Sequence, residues 1–533
     1  MKRSLAYLLI LCMVMGILPT TAFAGEAVPA TVMISDSGDY TITKETAAPI
    51  VIENGAAPTI TLNSVEIQAS DTSAITVKAG ASLTLIVEGS NVLTGADGFA
   101  GICVEPAYDS DGNYIEENSG KLTISGTGNL TVTGGNGDLV GDAFGGGAGI
   151  GGNGQNFDGQ QSGVDFGTIV IAESFNGTLD AAGGQDSESS YGGGAGIGTG
   201  GCNAGENYWW GTIFGSIAIY NGSINARSGG SGAGIGGGSG AVDGTIESKV
   251  AVRIAGGDIH ATGGTLGAGI GGGGLCDGGL VTITGGIIKA EAGPADGPMG
   301  AAGIGGGNDA SIAEVIITGG EVTAAAAGGA AGIGGGTNTS YGLHYGDMDG
   351  ARSEGKIGKI SISGADTVVY AYGGTGQGYS GSYGGAGIGA GYPTGNNNRS
   401  VAFDISITDG VEVNAYGGYH AQAIGYGYRP GSGDNLYTGY GILLELDDTV
   451  KLWAMNADGF LPALVKTTVY EETPITYSSS ETYLVCYENA AAVDSTVKAT
   501  GYLKLGRDAG ENGETELGWD YAEGKLSVEG TEI

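Results

Sequence analysis

The chain has 533 residues, 113 of them glycine, and its 57 acidic residues against 20 basic ones give a formal net charge of −37. So negative a surface repels nucleic acid and anionic membranes, and it disfavours polyanionic polysaccharides unless calcium bridges the charges. Three histidines and five cysteines, none in Cys-x-x-Cys spacing, leave little material for a zinc site.

Residues 1–24 read as an export signal. Lys2 and Arg3 precede a mostly apolar run from Leu5 to Leu18, and Ala22-Phe23-Ala24 offers a small-x-small cleavage site before Gly25. The apolar run is too short for a membrane anchor, and no later stretch is apolar enough to span a bilayer. The protein is therefore expected outside the cell or on its surface, with no membrane span once the signal is removed. Of the remaining cysteines, Cys202 and Cys276 fall in equivalent loops two repeats apart. Stacked repeats would hold their backbones ~9–10 Å apart, too far for a disulfide, so free thiols are expected.

From about residue 30, short alternating runs appear: Thr59-Ile60-Thr61-Leu62, Ala74-Ile75-Thr76-Val77, Leu83-Thr84-Leu85-Ile86-Val87 and Ala100-Gly101-Ile102. A phrase built on Gly-Ile-Gly then recurs. Ala-Gly-Ile-Gly begins at Ala148, Ala195, Ala233, Ala268, Ala302, Ala331 and Ala386, and Ala423-Ile424-Gly425 is a worn eighth copy. The isoleucines are 29 to 55 residues apart. Self-similarity at this period marks a solenoid. Each repeat holds two further runs, as in Val250-Ala251-Val252-Arg253-Ile254, a Gly256-Gly257 corner and Asp258-Ile259-His260-Ala261 before Ile270. Period-two alternation bounded by glycine is the signature of half-buried strands, and nothing here has a helical period.

Three strands per coil with glycine corners predict an all-β chain, a right-handed parallel β-helix over 25–440. Each strand would pair with its counterpart one coil on, ~4.8 Å away. Alanine and isoleucine of the phrase, two apart, are expected to share the inner face. The glycines would leave the outer face bare, as a seat for loops or a flat platform. Residues 441–510 read as ordinary antiparallel β capping the open coil, and 511–533, with Gly518-Trp519-Asp520-Tyr521, as the start of a further β module.

On its repeat phrase and strand pattern, the chain over about residues 30–430 resembles glycine-rich secreted or cell-surface proteins of Gram-positive anaerobic bacteria. Those carry Ala-Gly-Ile-Gly repeats, are labelled carbohydrate-binding-domain-containing, and have a fold like the pectin-lyase superfamily. The resemblance implies a β-helix and a glycan partner; it carries over no catalytic residue.

The glycine-rich texts at 147–152 and 232–237 match a dinucleotide fingerprint, but no helix follows to hold a phosphate, so they read as structural. Asp109, Asp111, Asn113 and Glu116 form the one candidate calcium loop, against the alternative of a solvated turn; no other cofactor is expected. Loops of variable length leave equivalent corners and should align along an edge of the tube. They carry Tyr208, Trp209, Trp210, Tyr341, Tyr345 and Tyr392, and a second set before the Gly-Ile-Gly strand carries Tyr191, Tyr372, Tyr379, Tyr383 and Tyr419, beside Asp and Asn. Such rings stack on the C–H face of sugars while polar neighbours take the hydroxyls, although they serve equally to pack loops onto the coil. The leading expectation is thus a secreted or surface-exposed glycan-binding, adhesin-like protein. A glycoside hydrolase or polysaccharide lyase is the alternative, with Asp347, Asp349 and Glu354 as candidate carboxylates. A surface stalk without a small ligand is the third. Oligomeric state is left open.

Overall fold

The computed structural model describes residues 31–44, 47–137, 145–154, 164–185, 192–202, 212–240, 247–337, 357–378, 381–392, 402–428, 430, 442–446, 449–456, 484–488, 499–505, 515–522, 525–528 and 531–532. The chain is all-β and winds as a parallel β-helix, as its repeats predict. One ladder has twelve parallel strands, running from Val32–Ile34, Ile50–Ile52, Ile75–Val77 and Ile102–Val104 through the two-residue strands Ile150–Gly151 to Ile424–Gly425. Isoleucine lies on isoleucine throughout: Ile102, Ile150, Ile197, Ile235, Ile270, Ile304, Ile333, Ile388 and Ile424 are consecutive register partners, all fully buried.

The other two runs of each coil form two more parallel ladders. Thr212–Ile219 pairs with Glu247–Ile254, and Ser223–Arg227 with Asp258–Thr262. In two coils both runs are one bent strand, Leu280–Glu291 and Glu314–Ala325, so these ladders merge into a 22-stranded sheet. The bend falls at Gly285-Gly286, where the register slips and Gly286 takes a φ of +99°. Alternation does the rest. In one coil Val252, Ile254, Ile259, Ala261 and Ile270 point inward and are buried, while Arg253, Asp258 and His260 point out. Each inward isoleucine contributes ~1.5–3 kcal/mol at most.

Glycine abundance has a specific cause here. The glycine after each isoleucine, from Gly151 to Gly425, has a φ between +126° and +146° in all eight coils. A Cβ on Gly236 would also strike the carbonyl oxygen of Gly271 in the next coil. A second column, Gly200, Gly238, Gly273, Gly307, Gly336 and Gly391, stacks backbone on backbone, each position after the first opposing the carbonyl oxygen of the one before. Around every isoleucine the chain makes a tight bend. The N–H of Ala148 donates to the carbonyl of Gly152, and the equivalent bond recurs in each of the eight coils from Ile150 to Ile424 at 2.8–3.0 Å, to Gln422 and Tyr426.

This packing decides between the two roles expected for the glycine face, in favour of a seat for other segments, and corrects the expectation for the alanine. The glycine face is not a bare platform: 145–152 and 192–202 are buried throughout, covered by neighbouring backbone. Nor does the alanine simply join the isoleucine, since Ala100 and Ala148 pack with Cys103 in a small cluster apart from the aliphatic tube. Cys103, Cys202 and Cys276 are free and buried, and burial pushes the Cys103 and Cys202 thiols up to about 12.

The C-terminal region also differs from its reading. Ile442–Leu446 lies parallel to Ala402–Thr408, and Lys451–Asn456 parallel to Glu412–Gly417, so they add a further coil rather than opening an antiparallel region at 441. Their buried Leu444, Leu446, Leu452 and Ala454 continue the inner columns. Among the described residues beyond 440, antiparallel pairing begins with Leu484–Glu488 against Lys451–Asn456. Ala499–Leu505, Thr515–Ala522, Lys525–Val528 and Thr531–Glu532 form a separate antiparallel sheet, so the boundary expected at 510 falls inside one sheet.

Candidate functional site

The loop residues Tyr191, Tyr208, Trp209, Trp210, Tyr341, Tyr345 and Tyr379, with the carboxylates Asp347, Asp349 and Glu354, lie outside the described residues. Tyr383 and Tyr392 are described, and the fold brings them together with ring centroids 4.7 Å apart. Tyr383 sits on a hairpin of Thr375–Gly378 and Gly381–Gly384 that rises from the corner after the second run. Tyr392 is only 2% exposed, its ring laid over Gly329, where a Cβ would collide with it. Tyr392 therefore packs the loop onto the coil and offers no open ring face. Tyr419, His420 and Tyr428 complete this corner, with Tyr428 pairing to Gly384.

The calcium loop is engaged internally. One oxygen of the Asp109 carboxylate accepts the N–H groups of Asp111 and Asn113 at 2.8 Å, and the other accepts the Asn113 side-chain amide at 2.9 Å. These bonds, the Asn113 amide first, hold its pKa below the usual carboxylate range. The carboxylate closes a turn, and Glu116 belongs to the short helical turn Glu116–Asn118. Among the described residues no three His, Cys, Asp or Glu side chains gather where a metal could bind.

This loop docks through its aromatics. Tyr114 stacks on Phe214 at 5.0 Å and 8°, and its hydroxyl donates to the Phe166 carbonyl. Tyr108 donates to the buried carboxylate of Asp165, which also accepts the Phe214 N–H at 3.1 Å. Burial raises Asp165 to about 6, against the opposing pull of these two bonds.

Among the described residues an open aromatic surface lies elsewhere, on the outer face of the second run. Alternation there projects three columns outward, each advancing one coil per step. The middle column passes through Asn225, His260, Lys289, Thr323, Tyr370, Asn414 and Trp453. Beside it run Arg227, Thr262, Glu291, Ala325, Tyr372, Tyr416 and Met455. Tyr372 and Tyr416 stack with centroids 4.8 Å apart and planes within 5°, and Tyr372 remains 39% exposed. Partial burial, then the neighbouring Tyr370, raises the Tyr372 phenol. Two coils away, the carboxylate of Glu291 is held by His260 at 2.7 Å and Lys289 at 2.9 Å. Burial works against its ionisation, but these two partners outweigh it and lower its pKa.

Reading the sequence for loops counted Tyr372 among the loop aromatics, whereas it ends the strand Val368–Tyr372, and it missed the strand face on which that ring stands. Its signal was present: Tyr370-Ala371-Tyr372, Asn414-Ala415-Tyr416 and Trp453-Ala454-Met455 each place large side chains on either side of an inward alanine. Compared with known proteins, the chain matches no family model, no curated protein and no solved structure. Among the described residues no helix is long and apolar enough to cross a membrane.

Proposed function

We propose that this protein binds glycans, as a secreted or surface-exposed module, through aromatic side chains on the outer face of its second strand ladder. The observation that carries the reading is the Tyr372–Tyr416 stack, a part-exposed ring pair standing on a parallel sheet. Two rings fixed in this way lose little entropy on binding, and they present apolar faces beside hydrogen-bonding groups, the combination that sugars require. The high negative charge fits neutral rather than polyanionic glycans.

A panel of immobilised neutral glycans probed with the purified protein tests this reading. Tyr372→Ala with Tyr416→Ala should weaken binding at least tenfold while the melting temperature changes by a few degrees. Binding unchanged by the double variant, or no binding to any glycan, contradicts it.

A further inference from the structure

The two outward columns enclose a depression one coil wide. Its floor is Thr323 and Ala325, small side chains on one strand. On the next coil Tyr370 and Tyr372 form one wall; on the coil before, Lys289 and Glu291 form the other. The two walls are two coils apart, about 10 Å between backbones. Tyr416 covers one face of the Tyr372 ring, so the opposite face looks over Ala325. Across the gap His260 and Lys289 fix the Glu291 carboxylate, so that it meets a ligand already oriented.

We infer that this trench is a subsite for one neutral pyranose ring of a glycan that crosses the tube, perpendicular to the helix axis. The inference rests on the glycan reading above and adds the class of ligand and its direction. Two van der Waals separations of about 4 Å, one to Tyr372 and one to the charged wall, take up most of the width, so one ring fits and two do not. A pyranose stacked on Tyr372 has its mean plane along the strands. Equatorial glycosidic bonds lie near that plane and lead the chain along the strand, perpendicular to the helix axis. Its hydroxyls then reach the Glu291 carboxylate as donors and the Lys289 ammonium as an acceptor. An acidic sugar gains little, because the Lys289 ammonium is already paired with the Glu291 carboxylate. An extended peptide has no edge to pair with, because the backbone of this strand is bonded to both neighbours.

The test is calorimetric titration of the full chain with cello-, xylo-, manno- and malto-oligosaccharides of two to six units. The expected result has three parts: affinity for one series that levels off by three units, at least a tenfold loss in Ala325→Leu, which fills the trench and leaves both walls, and a similar loss in Glu291→Gln. Circular dichroism and melting check that each variant folds, and if Ala325→Leu does not, Thr323→Phe blocks the same space. Wild-type binding that Ala325→Leu and Glu291→Gln leave intact overturns the trench but not the glycan reading. Affinity that climbs steadily to six units overturns the crosswise direction. No binding of any series or any glycan by the wild type removes the glycan reading and this inference with it.

Discussion

At the level of single residues, the glycine following each isoleucine is the most constrained position in the molecule. From Gly151 to Gly389 it combines a backbone angle that L-residues avoid with a carbonyl of the next coil where a side chain would stand. Gly236→Ala should therefore cost roughly 3 kcal/mol or more, the φ strain alone accounting for about 1–3. Gly112 separates the two effects. Its φ is +82°, but nothing lies within 4 Å of a Cβ there, so Gly112→Ala should cost only about 1–2 kcal/mol. Urea midpoints of the two variants check this; equal losses would mean that inter-coil contact adds nothing. The repetition of Gly-Ile-Gly was legible in the sequence, and with it the isoleucine ladder. Its covering was not. Whether a glycine faces solvent or another glycine's carbonyl depends on where distant loops fold back, and Gly200 or Gly238 carries no local mark of being stacked.

Individual elements were legible to the degree that their side chains alternate. The second run of each coil was foreseen as a strand, because Ile259 and Ala261 alternate with Asp258 and His260. Its outer face was overlooked as a binding surface, since sequence reasoning places recognition in loops. Register converts separate Tyr372 and Tyr416, 44 positions apart, into one stack. For Tyr383 and Tyr392 the loop reading located an aromatic corner, but burial of Tyr392 makes it packing. The docked loop around Tyr108 behaves as a pH-dependent element. Asp165 has a folded pKa of about 6, raised from 3.8, so the folded state holds its proton more tightly than the unfolded chain. Its contribution is fully present below about pH 4 and is lost as pH rises through about 6. Melting temperatures of the wild type relative to Asp165→Asn should fall between about pH 4 and about pH 6.5 and then level off. A difference that is constant over that range would show that the carboxylate does not titrate in this window.

For the whole molecule, a solenoid's stability is a sum of coil and interface terms rather than the property of one core. Alternating runs from about residue 30 located the beginning of the tube, and the repeat phrase located most of its length. Its C-terminal limit was misjudged, because Ile442–Leu446 and Lys451–Asn456 lack the Gly-Ile-Gly run between them and the next strand, and their alternation fits either pairing direction. Only the ladder decides: Val413 opposes Leu452 in parallel register. Lining up Tyr370, Tyr372 and Tyr416 with Glu291 likewise needs every intervening coil to stack without a slip, since a shift of one residue would turn the rings inward.

Spin labels placed on one outward column measure that stacking most directly. Thr178 and Glu412 are joined by six register steps, through Ser223, Asp258, Ile287, Glu321 and Val368. At ~4.8 Å per step, their backbones should lie about 29 Å apart. Double electron–electron resonance on Thr178→Cys with Glu412→Cys should give one narrow distribution near that distance, widened only by the label arms. A broad distribution, or a peak well beyond about 40 Å, would contradict the stacked tube and the binding face built on it.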